Sequence, residues 1–277
     1  MEDSKIYCFS HQYLKYIDKL PYTPVGLTEN TFPKNWLRDK SGEKNISYKN
    51  SFYDMYTFHY WFWKNEIMNI TDGKWIGFCT YRRFWSRSSK VSNSISQNFF
   101  DKVLRIIPHE WNDYDVVLSE PLALKKIKFM KVLKSNFFFY LKNPSFFFGK
   151  DHTIKTHFEI FHDSEILKKA INLLSSEEKD EFMDYLNTSA FHPWNLFFCK
   201  SKKLLNVYYE RVFDWLFRCE KVIGLENLSL KGYKTQRIYA YLAERYLSYW
   251  FTKNSKFTTW PIIFLDKNEI SKIENSI

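Results

Sequence analysis

The chain has 277 residues, 45% hydrophobic and 20% aromatic, enough to bury a sizeable core and too apolar for a disordered segment. Only 7 glycines and 8 prolines occur, which excludes a linker-rich chain, and no internal period marks a repeat protein. The net charge of +10 favours anionic partners: nucleic acid, an acidic membrane surface or phosphorylated small molecules.

Cys8, Cys79, Cys199 and Cys219 are widely spaced, with no C-x-x-C and no zinc-type cluster, so reduced, buried thiols in a cytoplasmic protein are expected. Met1-Glu2-Asp3-Ser4-Lys5 places acids where a signal peptide needs cations. No uncharged apolar run reaches the ~18 residues of a membrane span. A single α/β domain over residues 1–277 is the expected organisation.

Ile6 to Phe9 reads as a short apolar strand, followed by polar Ser10-His11-Gln12. His11 is therefore a candidate ligand contact. No G-x-G-x-x-G and no G-x-x-x-x-G-K-[ST] occurs, which argues against a dinucleotide fold or a P-loop NTPase. Residues 18–50 are polar and contain Pro21, Pro24, Gly26, Pro33 and Gly42, so they read as a long loop folded near a site. Ser51-Phe52-Tyr53-Asp54 fits a capping box opening a helix over about residues 52–66, apolar nearly all round and hence buried. Trp61 and Trp63 read as core, with a stacking platform as the alternative.

Trp75 to Cys79 is apolar apart from Gly77, bounded by Asp72-Gly73 and by Arg82-Arg83. That is the pattern of a central strand covered on both faces. Ligands of open α/β sheets bind beyond the carboxyl ends of the strands, and guanidinium forks match phosphate oxygens. Arg82 and Arg83 are therefore candidates to grip a diphosphate, against the plainer reading of a solvated strand end.

A Ser/Asn-rich stretch covers 86–96, an amphipathic helix about 97–108, and a strand Tyr114 to Ser119. Residues 125–150 combine five lysines before Phe137 with Phe137-Phe138-Phe139-Tyr140 and Phe146-Phe147-Phe148, a membrane-surface contact, a nucleic-acid platform or a capped core. His152, His157 and His162 are five apart, a weak metal spacing. Ile166 to Leu186 reads as helix, divided near Ser175-Ser176. His192-Pro193-Trp194-Asn195 leads into an apolar strand, and Asn195 stands at its mouth to hydrogen-bond a ligand hydroxyl. Helices follow over about 202–222 and 233–251. In the second, Arg237 and Glu244 lie two turns apart on one face and are expected to form a buried pair. Pro261 to Leu265 closes the fold as a strand, and the tail after Asp266 is expected to fray.

Several motifs now fall in order: Asp39, Gly42, Asn45-Ile46-Ser47 and Asn50; Tyr60-Trp61-Phe62-Trp63-Lys64-Asn65; Gly77-Phe78-Cys79-Thr80-Tyr81-Arg82-Arg83-Phe84; Asn195-Leu196-Phe197-Phe198; and Gln236-Arg237 with Ala243-Glu244-Arg245. Over about residues 5–265 this set resembles a bacterial family of capsule, exopolysaccharide and O-antigen glycosyltransferases, first catalogued as a domain of unknown function. Two positions depart from it: Thr80 stands where the family has His, and Met55, beside Asp54, where it has Glu. Neither family role is carried over.

The resemblance implies a GT-A-like nucleotide-sugar domain with a mixed central sheet flanked by helices and a helical C-terminal part. It implies transfer of a hexosyl group, UDP-linked in the commonest case, to a surface-polysaccharide or lipid-linked glycan. Most GT-A enzymes hold a divalent metal with Asp-x-Asp at the end of this strand. Here Thr80-Tyr81-Arg82-Arg83 stands there, and Asp113-Tyr114-Asp115 precedes a strand instead, so a metal-independent transferase with no cofactor is expected. Its donor site would comprise His11, Asn45, Ser47, Asn50, Lys64, Tyr81, Arg82, Arg83 and Arg245; its acceptor site Trp194, Asn195 and Arg237. The base candidates are Asp54, Asp151, His192 and Glu244, with His192 preferred for its place before a strand mouth. A non-catalytic glycan-binding module of the same fold is the alternative. A nucleic-acid partner is not expected, because no RNA-binding motif occurs. Location is expected to be cytoplasmic, with residues 125–150 offering a peripheral contact to the inner membrane.

Overall fold

A computed structural model describes residues 4–90, 99–124, 152–225, 228 and 235–277. The expected aromatic-basic segment 125–150, Asp151 and most of the Ser/Asn-rich stretch therefore lie outside the described residues. In chain order the elements are β1 (Ser4–Ser10), α1 (Lys15–Asp18), β2 (Thr23–Gly26), β3 (Leu37–Arg38), α2 (Asn50–Tyr53), α3 (Tyr56–Asn65), β4 (Trp75–Thr80), β5 (Arg83–Trp85), α4 (Phe99–Lys102), β6 (Val116–Ser119) and β7 (Leu122–Ala123). They continue with α5 (Ile154–Phe161), α6 (Ser164–Ile171), α7 (Ser176–Leu186), β8 (Ala190–Phe191), β9 (Phe197–Cys199), α8 (Lys202–Ile223), α9 (Ile238–Asn254), β10 (Phe257–Trp260), β11 (Ile262–Phe264) and α10 (Lys267–Asn275).

The main sheet runs β10-β6-β9-β4-β1-β2-β3, with β5 paired to β4 and β11 to β5. β1, β2, β3 and β4 are mutually parallel, and β9 is antiparallel to both β4 and β6. The expected mixed α/β sheet flanked by helices is what forms. The pleat sends successive side chains to opposite faces. Tyr7, Phe9, Ile76, Phe78 and Phe197 pack with α3, α8 and α9 on one face. Ile6, Cys8, Trp75, Cys79 and Phe198 pack with α1, α4 and α10 on the other. All six residues of β4 are buried, as expected for a strand covered on both faces. All four cysteines are free and buried.

Four local expectations are corrected. The polar loop over 18–50 contains β2 and β3, which add to the parallel edge of the sheet. The helix expected over 52–66 is two helices, broken at Asp54, and Ser51 makes no side-chain cap. The helix expected over about 97–108 is only the short α4 among the described residues. The tail after Asp266 is α10, opened by a capping box between Asp266 and Glu269 and anchored by buried Ile270. Its amphipathic pattern outweighs its polar composition. No described helix is long and apolar enough to cross a membrane.

Gly77 explains itself in this sheet. It pairs with Phe198 of β9, and a Cβ at Gly77 would come within 2.1 Å of the Phe198 ring. The glycine lets the aromatic ring lie flat on the middle of β4. Gly77→Ala should therefore destabilise the fold by about 1–3 kcal/mol, the usual cost of an overpacked core. Thermal unfolding measures this, and the smaller side chain of Phe198→Leu should recover part of the loss in the double variant.

Candidate functional site

A cleft of about 400 Å³ opens at the carboxyl edge of the parallel strands. The position follows from the topology. β1 and β4 pair in register from Ser4↔Trp75 to Phe9↔Thr80, so the chain leaves both strands at one edge. β9 runs the other way and brings its amino end, after Trp194 and Asn195, to the same edge. The wall is completed by the Asp54–Met55 break and the first turns of α9.

Nine of the sequence-predicted site residues line this cleft: His11, Asp54, Tyr81, Arg82, Arg83, Trp194, Asn195, Arg237 and Glu244. Thr80 and Met55, noted only as departures from the family pattern, line it too, with Phe9, Leu27, Ala240 and Tyr241. Sequence spacing gave a signal for the last two: with Arg237 and Glu244 they follow the i, i+3, i+4, i+7 pattern of one helix face, although Arg237 itself stands before the helix.

The other candidates lie elsewhere. His192 is buried, its Nδ1 2.7 Å from Ser119 O, and burial holds its pKa below the usual value. Its ring packs against Phe257 and is absent from the cleft wall. Ser119 O and the Ser248 hydroxyl, which accepts its main-chain N–H, hold it inward. Lys64 Nζ sits over the Trp63 ring on the outer side of α3. Trp63 donates to Asn206, and Trp61 is core, donating to Ser41 O. Asn45 and Ser47 bond each other within their own turn. Asn50 is turned toward the main chain of Asp54. Arg245 is fully buried behind the wall, paired with Glu244 and 3.1 Å from His157 Nδ1. The expected Arg237–Glu244 pair does not form: Arg237 bonds Asp54 at 3.1 Å, and Glu244 accepts from Arg245 and from Trp194 N–H. The reason is that Arg237 precedes α9 in a left-handed conformation, which swings its side chain off the helix face. No described group of His, Cys, Asp or Glu has the arrangement to hold a metal ion, and Asp113-Tyr114-Asp115 lies at the opposite end of β6.

Asp54 and Arg83 carry the charge of the site. Asp54 Oδ2 is 3.1 Å from Arg237 Nη1, and Oδ1 is 3.0 Å from His11 Nε2. The imidazole is out of hydrogen-bond alignment, so Oδ1 is buried without a hydrogen-bond partner. Arg83 lies 5.0 Å from the Trp194 ring centroid and 5.3 Å from that of Phe264. Arg82 lies 5.1 Å from Phe264. Burial, then the neighbouring Arg82, pulls the pKa of Arg83 down, and Glu244 opposes this. The Arg83 Nε and the Thr80 Oγ1 are buried with no partner. Three residues that line the cleft thus each carry a buried polar atom without a hydrogen-bond partner, and such atoms gather where a fold serves a site.

Backbone strain gathers at the same place. The described non-glycine residues with positive φ are Thr28, Asp54, Trp194, Asn195 and Arg237. Four of them line the cleft, and Thr28 adjoins Leu27, which does. Such conformations cost roughly 1–3 kcal/mol each and persist where the surroundings enforce them.

This chain belongs to the family described as "Domain of unknown function (DUF4422)", whose model matches residues 5–255. No curated protein matches. Among solved structures, the chain is similar to the apo structure of the WbbM bifunctional glycosyltransferase, with a TM-score of 0.66 and 20% identity. The match covers 96% of this chain and 46% of that one, so the chain spans about half its length. The likeness bears on the fold.

The strain at Asp54 can be weighed directly. With φ 48° and ψ −131°, Asp54 is in a region that glycine enters freely and a side chain resists. Asp54→Gly and Asp54→Ala both lose the Arg237 pair, so their difference isolates the backbone. Asp54→Gly should be the more stable by about 1 kcal/mol, read from paired denaturant titrations.

Proposed function

We propose that this chain is a glycosyltransferase, moving a hexosyl group from a nucleoside diphosphate sugar to a hydroxyl of a surface-polysaccharide or lipid-linked glycan. The observation that carries the reading is the convergence of Arg82, Arg83 and Arg237 with Asp54 and Glu244 on one cleft at the carboxyl edge of the parallel strands. Cations and carboxylates facing a shared cavity are what the two halves of the reaction need.

In this reading the acceptor oxygen attacks the anomeric carbon, and the bond from that carbon to the diphosphate breaks. The diphosphate leaves with the bonding electron pair. Arg82 and Arg83 meet its growing charge, the part a divalent metal plays in other transferases of this fold. Their adjacency at the end of β4, with the guanidinium of Arg83 fixed between Trp194 and Phe264, gives donors that need little reorganisation. The acceptor's proton passes to a carboxylate. Both Glu244 oxygens are engaged, by Trp194 N–H and by Arg245. Asp54 keeps one oxygen without a hydrogen-bond partner, 3.0 Å from His11 Nε2. Asp54 is therefore the base, in place of His192, with Arg237 holding its other oxygen. Trp194 and Tyr241 add aromatic surface to the cleft wall, the kind of lining that sugar rings pack against.

Calorimetry with a panel of nucleoside diphosphates, in EDTA and with added manganese, tests the donor half. One nucleotide should bind without metal, and Arg82→Ala/Arg83→Ala should weaken it by at least about 100-fold, the worth of two charge-assisted contacts at 1.5–3 kcal/mol each. A strict requirement for manganese would sink the arginine-for-metal assignment. No binding of any nucleotide by folded protein would favour a glycan-binding module instead. Asp54→Asn tests the chemical half: it should keep nucleotide affinity within about twofold and lower turnover of the donor by about 100-fold or more.

A further inference from the structure

The loop that carries Asp39, Asn45, Ser47 and Asn50 stays out of the cleft, yet it reaches the cleft wall through one residue. Asn50 Nδ2 donates to Asp54 O at 3.0 Å and to Thr57 Oγ1 at 3.1 Å. The Thr57 hydroxyl lies 2.9 Å from Asp54 O and also bonds the carboxylate of Asp39. Asp39 is 1% exposed and Thr57 is 0% exposed. A hydroxyl has one proton, so it serves one acceptor at a time. While Asp39 is ionised, the Thr57 hydroxyl donates to it, and Asp54 O accepts from Asn50 Nδ2 and from the Thr57 main-chain N–H at 3.1 Å.

The alternative conformation of this segment is plain from its sequence. Residues 52–66 read as one continuous helix, and in that helix Ser51 O would accept the Met55 N–H. Here Ser51 O accepts from Arg237 N at 3.0 Å instead. The break at Asp54 thus displaces a helical hydrogen bond and needs ties on both sides. Arg237 supplies one side, through its main chain and its guanidinium. The Asp39–Thr57–Asn50 chain supplies the other.

We propose that Asp39, Thr57 and Asn50 are positioning residues that clamp the main chain of Asp54 in its bend and so aim its carboxylate into the cleft. Their part in turnover rests on the reading of Asp54 as the base. The clamp itself does not, since it concerns where the residue sits. It also gives the Asp39 to Asn50 motif a role other than touching the donor.

Thr57→Val keeps the shape of the side chain and removes the hydroxyl, and Thr57→Ser retains it. In a crystal structure of Thr57→Val, Asp54 should leave its positive φ and its contact with Arg237, and in Thr57→Ser it should stay. With a panel of UDP-, GDP- and dTDP-hexoses as probes and diphosphate release as readout, Thr57→Val should lower kcat by about 10–100-fold, as misplacing a reacting group does. UDP, GDP or dTDP affinity should hold within twofold, Thr57→Ser should restore kcat, and Thr57→Val should add no loss on an Asp54→Asn background. A Thr57→Val crystal structure with Asp54 still in its bend overturns the clamp, whatever the turnover. A displaced Asp54 together with full turnover by Asp54→Asn leaves the clamp standing and overturns the base assignment instead.

Discussion

The parallel pairing of β1 with β4 is the constraint on which the rest of the molecule depends. Six consecutive pairs, from Ser4↔Trp75 to Phe9↔Thr80, bring two chain exits to one edge, and a functional cleft can form only where exits gather. His11 follows one strand and Tyr81-Arg82-Arg83 follows the other. Tyr81 N–H donates to Phe9 O at 2.8 Å and Tyr81 O accepts from the buried Tyr16 hydroxyl, so the pairing continues past the strand end and fixes the direction in which the arginines depart. Gly77 allows the antiparallel β9 to close on β4 with Phe198 across it. Without that approach, Trp194 and Asn195 would not reach the same edge.

Strain and unsatisfied polar atoms are distributed unevenly, and their distribution separates scaffold from site. The scaffold obeys local rules: α6, α7, α8 and α10 each begin at a side-chain cap, on Asp163, Ser175, Ser201 and Asp266. The helices that meet the cleft break those rules. α3 and α9 have no side-chain cap, and each is preceded within two residues by a left-handed non-glycine residue, Asp54 and Arg237. These two residues bond each other across the cleft wall. Two helix starts that are unfavourable alone therefore support one another, which is how a strained site persists in a stable fold.

Much of the scaffold was legible in the sequence because it follows periodicity. An apolar run between Asp72-Gly73 and Arg82-Arg83 marks β4, and long amphipathic stripes mark α8 and α9. The cleft was partly legible for the same reason, since residues at strand exits and strand mouths fall at one edge of such a sheet. What local pattern could not carry were the elements set by distant partners. β2 and β3 are short and rich in proline and glycine neighbours, and only the pairing of β2 with β1 and of β3 with β2 makes them strands. Ser51 and Asp54 spell a capping box, but Arg237, some 183 positions away from Asp54, takes the Ser51 carbonyl and the Asp54 carboxylate. His192 reads as a residue at a strand mouth, and it turns inward because Ser119 O and the Ser248 hydroxyl bind it there.

Arg83 gives the last step. A half-buried guanidinium with a pKa drawn down by burial and by its neighbour Arg82 is a cation held where water solvates it poorly. Glu244 offsets this only from a distance, because its oxygens are turned to Arg245 and to Trp194 N–H. The aromatic faces of Trp194 and Phe264 offset a further part, since a desolvated cation over a ring gains roughly 2 kcal/mol. The Arg83 Nε remains without a partner. An uncompensated donor on a half-buried cation is costly to the free protein and favourable to any anion that binds it, because part of the desolvation precedes the anion's arrival. Asp54 lines the same cleft, with Oδ2 on Arg237 and Oδ1 buried 3.0 Å from His11 Nε2. The proposed group transfer, which releases an anion and a proton, draws on both residues, and the strained backbone of Asp54 belongs to the same cleft wall.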